Sequence, residues 1–166
     1  MPATARMALT RAAEAAGRAA ADDPSFQAGR MWADVLTRVP LFADVPARQV
    51  RKIAALGSAA RFDAKTQIIK RGDPGDAFYV MLLGRAEVRR RGRPNVEIGP
   101  GAYFGEMALI DGAPRSATVV AKSETVCLML ARKQFDKVLK SEPAVARALL
   151  RTLAARLREH DESAAD

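Results

Sequence analysis

The chain has 166 residues with a formal net charge of +8, and its 49% hydrophobic and 28% charged content is that of one globular domain with extensions, too short for a second. The longest apolar run, Ala77 to Leu83, is too short to span a bilayer, and Arg6, Arg11 and Glu14 interrupt the N-terminus where a secretory signal would be apolar, so a cytoplasmic protein without transmembrane segments is expected. One cysteine, Cys127, excludes an intramolecular disulfide, and one histidine, His160, leaves no zinc set, so no metal is expected.

In chain order, Ala3 to Ala21 is alanine-rich with few large apolar residues and predicts a helix with little to bury. After Asp22-Asp23-Pro24-Ser25, where Asp23 or Ser25 is the candidate cap, Phe26, Met31, Trp32, Val35 and Leu36 are spaced for one face of a second helix. Met31 and Trp32 read as packing residues for the core or a dimer surface. Val39-Pro40-Leu41-Phe42 breaks that helix, and Val45-Pro46 opens another over Ala47 to Leu56 with Val50, Ile53 and Leu56 on one face. From Ala59 to Leu130 the pattern changes to short alternating or β-branched runs punctuated by Gly, Pro and Asp. The candidate strands are Arg61 to Phe62, Gln67 to Lys70, Ala77 to Leu83, Ala86 to Arg90, Val96 to Ile98, Ala117 to Ala121 and Thr125 to Leu130. Cys127 falls in the last of these and reads as core.

Residues 1–34 balance four arginines against four acids, so the positive excess lies in the remainder. Its densest cluster, Arg89-Arg90-Arg91-Gly92-Arg93, lies between two strand runs and reads first as a solvated hairpin turn, second as an electrostatic landing patch for nucleic acid. No aromatic residues interleave it, which disfavours the second reading. Beyond the strands, Arg132 to Lys140 and Pro143 to about Asp161 predict two helices, the second with Pro143 in its first turn behind Ser141 as cap. Val145, Leu149, Leu150, Leu153 and Leu157 predict its apolar stripe, with Arg147, Arg151 and Arg158 on the other face.

The stretch Gly99 to Val120 concentrates the chemistry. Gly99, Gly101 and Gly105 permit tight turns, and Glu106 to Ile110 is long enough for one short helical turn, ended by Asp111-Gly112-Ala113-Pro114. Amides at the start of such a turn, with the Arg115 guanidinium and Ser116, suit a phosphate. Glu106 would be repelled by that phosphate, and accepting a sugar hydroxyl gives it another task. Together these describe a clamp for a ribose cyclic phosphate. The alternative is a structural Glu106–Arg115 ion pair closing an Ω-like loop.

Phe104-Gly105-Glu106-Met107-Ala108-Leu109-Ile110 and Pro114-Arg115-Ser116-Ala117 resemble, without a gap, the phosphate-binding cassette of the cyclic nucleotide-binding domain family. Arg71-Gly72-Asp73-Pro74-Gly75-Asp76 followed by Ala77-Phe78-Tyr79-Val80 and Gly84 resembles that family's barrel signature, and Pro40-Leu41-Phe42 its helical lead-in. The resemblance implies a mainly β fold with flanking helices (α+β): an antiparallel β-barrel or jelly roll of about eight strands, N-terminal helices, a short cassette helix and two C-terminal helices. It implies a helical extension over residues 1–38, a binding domain over 39–160 (barrel about 59–130, lid helices about 132–160) and a tail over 161–166.

By the same resemblance the binding residues are Gly105, Glu106, Met107, Ala108, Arg115 and Ser116. Glu106 would take the ribose 2′-hydroxyl, Arg115 the exocyclic phosphate oxygens, and the amides of Ala108 and Ser116 the same phosphate. Aligning the strands on the cassette places Val88, Val96 and Ile98 near the base, as an apolar wall or as ordinary core. Leu153, Leu157 and His160 are the candidates to reach the base from the lid, although His160 also reads as an exposed helix-end residue.

The implied regulatory ligand is cAMP or cGMP. Serine at position 116, where cGMP-preferring members often carry threonine, leans towards cAMP, and a cyclic dinucleotide remains an alternative because its phosphate chemistry is the same. The expected function is a non-enzymatic sensor whose last helix moves on binding, read by a protein partner or a second copy, with no DNA-binding module. The competing expectation is a degenerate interaction or dimerisation module that binds no nucleotide.

Overall fold

The computed structural model describes residues 28–164. The expected helix over Ala3 to Ala21, the candidate caps Asp23 and Ser25, and Phe26 lie outside the described residues. Helix α1 (Ala28–Leu36) ends before Val39, whose extended backbone (φ −76°, ψ 128°) is what a residue preceding proline adopts. Pro40–Phe42 then forms a single 3₁₀ turn, with the fixed φ of proline at its start. Helix α2 (Ala47–Leu56) follows and buries Val50, Ile53 and Ala54.

Eight strands come next: β1 (Ser58–Phe62), β2 (Gln67–Ile69), β3 (Ala77–Leu83), β4 (Ala86–Arg89), β5 (Val96–Ile98), β6 (Tyr103–Phe104), β7 (Thr118–Ala121) and β8 (Thr125–Ala131). They form two four-stranded antiparallel sheets, in the orders β1-β8-β3-β6 and β2-β7-β4-β5. Helix α3 (Glu106–Asp111) interrupts the strands between β6 and β7, and α4 (Arg132–Ser141) and α5 (Pro143–Ala164) complete the chain. This is the jelly roll with flanking helices. Among the described residues no helix is long and apolar enough to cross a membrane.

The unbroken apolar run in β3 follows from its position: it is covered on both faces, and its side chains alternate between two cores. Phe78, Val80 and Leu82 join Val126, Leu128 and Leu130 of β8 in a core shared with Trp32, Leu36, Phe42, Ile53, Phe135, Val138 and Leu149 of the helices. Ala77, Tyr79 and Met81 point the other way, between the sheets, where they meet Val88, Phe104, Val119 and Cys127. Cys127 is thus core, and burial pushes its thiol up to about 12.

Four local expectations differ from the structure. Strand β6, only two residues long, has no alternation to read. It is held by pairing with β3, where Tyr79 and Phe104 are register partners and stack at 5.1 Å. β1 begins at Ser58 because Ala59 and Ala60 pair with Leu128 and Cys127, a tertiary contact overriding the low strand propensity of alanine. Ser141 does not cap α5. It is the last residue of α4 and donates its hydroxyl back to the Val138 carbonyl at 3.4 Å. The stripe on α5 also divides. Val145 and Leu149 are buried in the helical core, whereas Leu150, about 100° further round the helix, is 63% exposed.

Candidate functional site

The site is built where β6 turns into α3. Gly105 has φ +90°, and a Cβ there would meet Arg115 Nη1 at 2.8 Å and the Ala77 carbonyl oxygen at 2.9 Å, so only glycine allows this approach. Arg115 is 4% exposed. Its Nη1 donates to the Gly105 carbonyl at 2.9 Å, and its Nη2 to the Ala77 carbonyl at 2.8 Å and to Asp76 Oδ1 at 3.4 Å. The Asp76 side chain is itself 88% exposed, so a nearly dry guanidinium is held by carbonyls and one distant, solvated carboxylate. Its own backbone is pinned to the Gly72–Asp73 turn: Arg115 N–H donates to the Asp73 carbonyl and its carbonyl accepts from Gly72 N–H.

The other end of α3 is held by a second arginine. Arg132, which opens α4, donates to the carbonyls of Gly75 (2.7 Å), Leu109 (3.3 Å) and Ala108 (3.4 Å). A cation beside the last carbonyls of a short helix is favoured by the helix dipole, and here it adds to the Gly112 N–H already donated to the Ala108 carbonyl. Gly75 lets the loop close onto this helix, since a Cβ there would lie 2.4 Å from that of Ala108.

Glu106 is 3% exposed, and its Oε1 accepts a 2.6 Å charge-assisted bond from Nη1 of Arg156 on α5. Glu106 and Arg115 therefore do not form the closed structural pair considered above. Each has separate partners, and both line one cavity of about 390 Å³, within the size range of small-molecule sites of roughly 300–1,000 Å³.

Every sequence-predicted site residue lines that cavity: Gly105, Glu106, Met107, Ala108, Arg115 and Ser116 from the cassette, Val88, Val96 and Ile98 from β4 and β5. Val88 is buried and Val96 is 49% exposed, so the apolar wall runs from the core towards solvent. Ser116 directs its hydroxyl to Met107 Sδ at 3.6 Å, and Met107 is itself exposed. Leu153, Leu157 and His160 reach the same cavity from α5.

Sequence reasoning missed Arg156 and the cavity-facing placement of Arg90. A signal existed for the first: Arg156 is three residues past Leu153, on the face already assigned to the lid. For Arg90 it was weaker, because a run of arginines beside Gly92 reads as solvated turn. The guanidinium is half-buried, and its pKa is lowered by burial, then by the neighbouring charges of Arg156 and Arg93.

Comparison with known proteins agrees with this geometry. The family model described as cyclic nucleotide-binding domain matches residues 59–142. The cAMP-dependent protein kinase regulatory subunit of Emericella nidulans is 41% identical over 119 residues, which are 70% of this chain and 29% of that protein, so the chain spans under a third of that relative's length. Among solved structures, Thermus thermophilus catabolite activator protein superposes with a TM-score of 0.69 at 32% identity, over 75% of this chain and 61% of that one. The regulatory domain of Toxoplasma gondii PKA, co-crystallised with cAMP, gives 0.66 at 28% identity over 77% and 50%. With the cassette, the two sheets and the cavity in place, the chain belongs to the cyclic nucleotide-binding domain family.

Proposed function

We propose that this chain is a non-enzymatic receptor for a 3′,5′-cyclic nucleotide, with cAMP preferred to cGMP among the mononucleotides, and that residues 39–160 form its binding unit. The observation that carries the proposal is the convergence of two buried, oppositely charged side chains, Glu106 and Arg115, on one cavity from the two ends of the cassette. In this reading Arg115 gives parallel charge-assisted bonds to the exocyclic phosphate oxygens, Ala108 and Ser116 add their amides, and Glu106 accepts the ribose 2′-hydroxyl. Val88, Val96 and Ile98 form the wall for the purine. Serine at 116 and kinship with a cAMP-dependent kinase regulatory subunit support cAMP.

The cavity supports binding more than catalysis: its one acidic side chain is committed to Arg156, and the buried Cys127 thiol stays protonated elsewhere in the core. Because α5 contributes both Arg156 and part of the cavity wall, ligand binding shifts the position of α5, and a protein partner or second copy in the cytoplasm reads that shift. Calorimetric titration of nucleotide-stripped protein with cAMP and cGMP tests the proposal. Binding that is lost in Arg115→Ala is expected, with cAMP the tighter ligand. No heat with either ligand, and no rise in melting temperature, refutes binding of a cyclic mononucleotide, the form of receptor proposed here.

A further inference from the structure

The cavity has a second cationic region that the clamp does not use. Arg90 lies two residues beyond Val88, about 7 Å further along the same face, where β4 gives way to the hairpin. Arg93 lies in that hairpin, and Arg156 faces both from α5. Among the described residues neither Arg90 nor Arg93 has an ion-pair or hydrogen-bond partner, while Arg156 holds Glu106. The half-buried Arg90 feels Arg93 and Arg156 as repelling neighbours, with Glu106 and Glu159 as more weakly opposing charges. Four guanidiniums and one carboxylate line the cavity, Asp76 standing behind Arg115. A cyclic mononucleotide brings one negative charge, which Arg115 meets, and leaves the outer arginines facing each other across the hairpin and the helix. An anion between them would replace that repulsion with charge-assisted bonds from both elements.

We propose that Arg90, Arg93 and Arg156 form a second phosphate subsite on the solvent side of the cavity, so that the ligand class held most tightly is a cyclic dinucleotide, with one phosphodiester at Arg115 and the other between the β4–β5 hairpin and α5. The inference rests on the cyclic-nucleotide reading above and extends it from one phosphate to two. The apolar wall of Val88, Val96 and Ile98 lines the same cavity, and a purine carried by one of the riboses that bridge the two phosphates would lie along it.

The test is calorimetric titration of nucleotide-stripped protein with cAMP, cGMP, cyclic di-AMP and cyclic di-GMP, on the wild type and an Arg90→Ala/Arg93→Ala variant whose fold is checked by circular dichroism. A cyclic dinucleotide is expected to bind at least about tenfold more tightly than cAMP, and the double substitution to weaken it at least about tenfold more than it weakens cAMP. The difference between the two dinucleotides identifies the base. If cAMP binds as tightly as either dinucleotide, or if the double substitution weakens both classes alike, the second subsite is overturned and the receptor reading stands. A dinucleotide that binds while both mononucleotides are silent supports the subsite and overturns the mononucleotide preference. Silence of all four ligands overturns both.

Discussion

Replacing Arg156 with alanine removes the cation that, among the described residues, forms the ion pair with the buried Glu106 carboxylate. The bond is short, 2.6 Å, and Glu106 is 3% exposed. Breaking a fully buried pair from one side costs about 3–5 kcal/mol, because the remaining charge is left without a partner. Arg156, however, is 36% exposed, so water screens the pair and can reach the carboxylate once the arginine is gone. A loss of about 1–2 kcal/mol follows, which for a domain of this size lowers the melting temperature by roughly 3–6 °C. Thermal unfolding of the ligand-free protein measures it, and a double-mutant cycle with Glu106→Gln isolates the pair: the double variant should lose clearly less than the two single losses added. If Arg156→Ala shifts the melting temperature by less than about 1 °C and the cycle shows no coupling, α5 is not held to the cassette in solution, and the reasoning from Glu106 to the helix fails.

Three further outcomes are expected. Arg132→Ala leaves the carbonyls of Gly75, Ala108 and Leu109 without their cation and should cost about 1–3 kcal/mol in chemical denaturation, with Arg132→Lys restoring only part, since an ammonium cannot span all three acceptors. Gly105→Ala imposes a left-handed alanine and drives its Cβ against the Arg115 guanidinium and the Ala77 carbonyl, so it should destabilise by about 1–3 kcal/mol and weaken cyclic-nucleotide binding even though no ligand-contacting side chain is deleted. Cys127 contributes to an alkaline dependence: burial raises its folded pKa to about 12 from the ordinary thiol value of about 9, so the folded state keeps a proton that the unfolded chain loses. The Cys127 contribution is intact below about pH 9 and should fall by up to about 1.4 kcal/mol per pH unit between about 9 and 12, so denaturation of Cys127→Ala over that range should show a shallower slope, the remainder including Tyr79 and Tyr103, whose hydroxyl pKa values burial also raises.

Much of the fold was legible because its signals are local. Proline at 40, 46 and 143 and the change from helical to alternating spacing after Ala59 mark elements wherever the chain goes. The cassette was legible for a similar reason, since Gly105, Glu106, Arg115 and Ser116 are close in sequence and their chemistry is uncommon in combination. What was not legible depends on distant residues. β6 exists because Tyr79 offers Phe104 a stacking partner, and β1 extends to Ser58 because β8 offers it a register. Arg156 lies fifty residues from the glutamate it holds. Arg132 shows the same limit, as nothing in Ala131-Arg132-Lys133 announces carbonyls on a loop and a helix well upstream.

The placement of Glu106 has a thermodynamic consequence for the proposed receptor. A ligand moves α5 only by as much as its affinity differs between the two positions of that helix, however tightly it binds overall. Arg115 makes its bonds to Gly105, Asp76 and Ala77, none of them on α5, so a phosphate at Arg115 adds affinity in either position. Glu106 is different, because the carboxylate expected to receive the ribose hydroxyl already carries the arginine of α5. If the carboxylate holds the hydroxyl and Arg156 together, the ligand favours the docked helix; if the hydroxyl displaces Arg156, the ligand releases it. The sign is measurable as the change that Arg156→Ala makes to the affinity for cAMP, which has no second phosphate for the outer arginines, and its size is the coupling energy. A weakened ligand means docking on binding, and a strengthened one means release. An affinity unchanged by Arg156→Ala would show that Glu106 does not couple ligand to helix, leaving Leu153, Leu157 and His160, which line the same cavity, as the α5 residues through which a ligand could act on that helix.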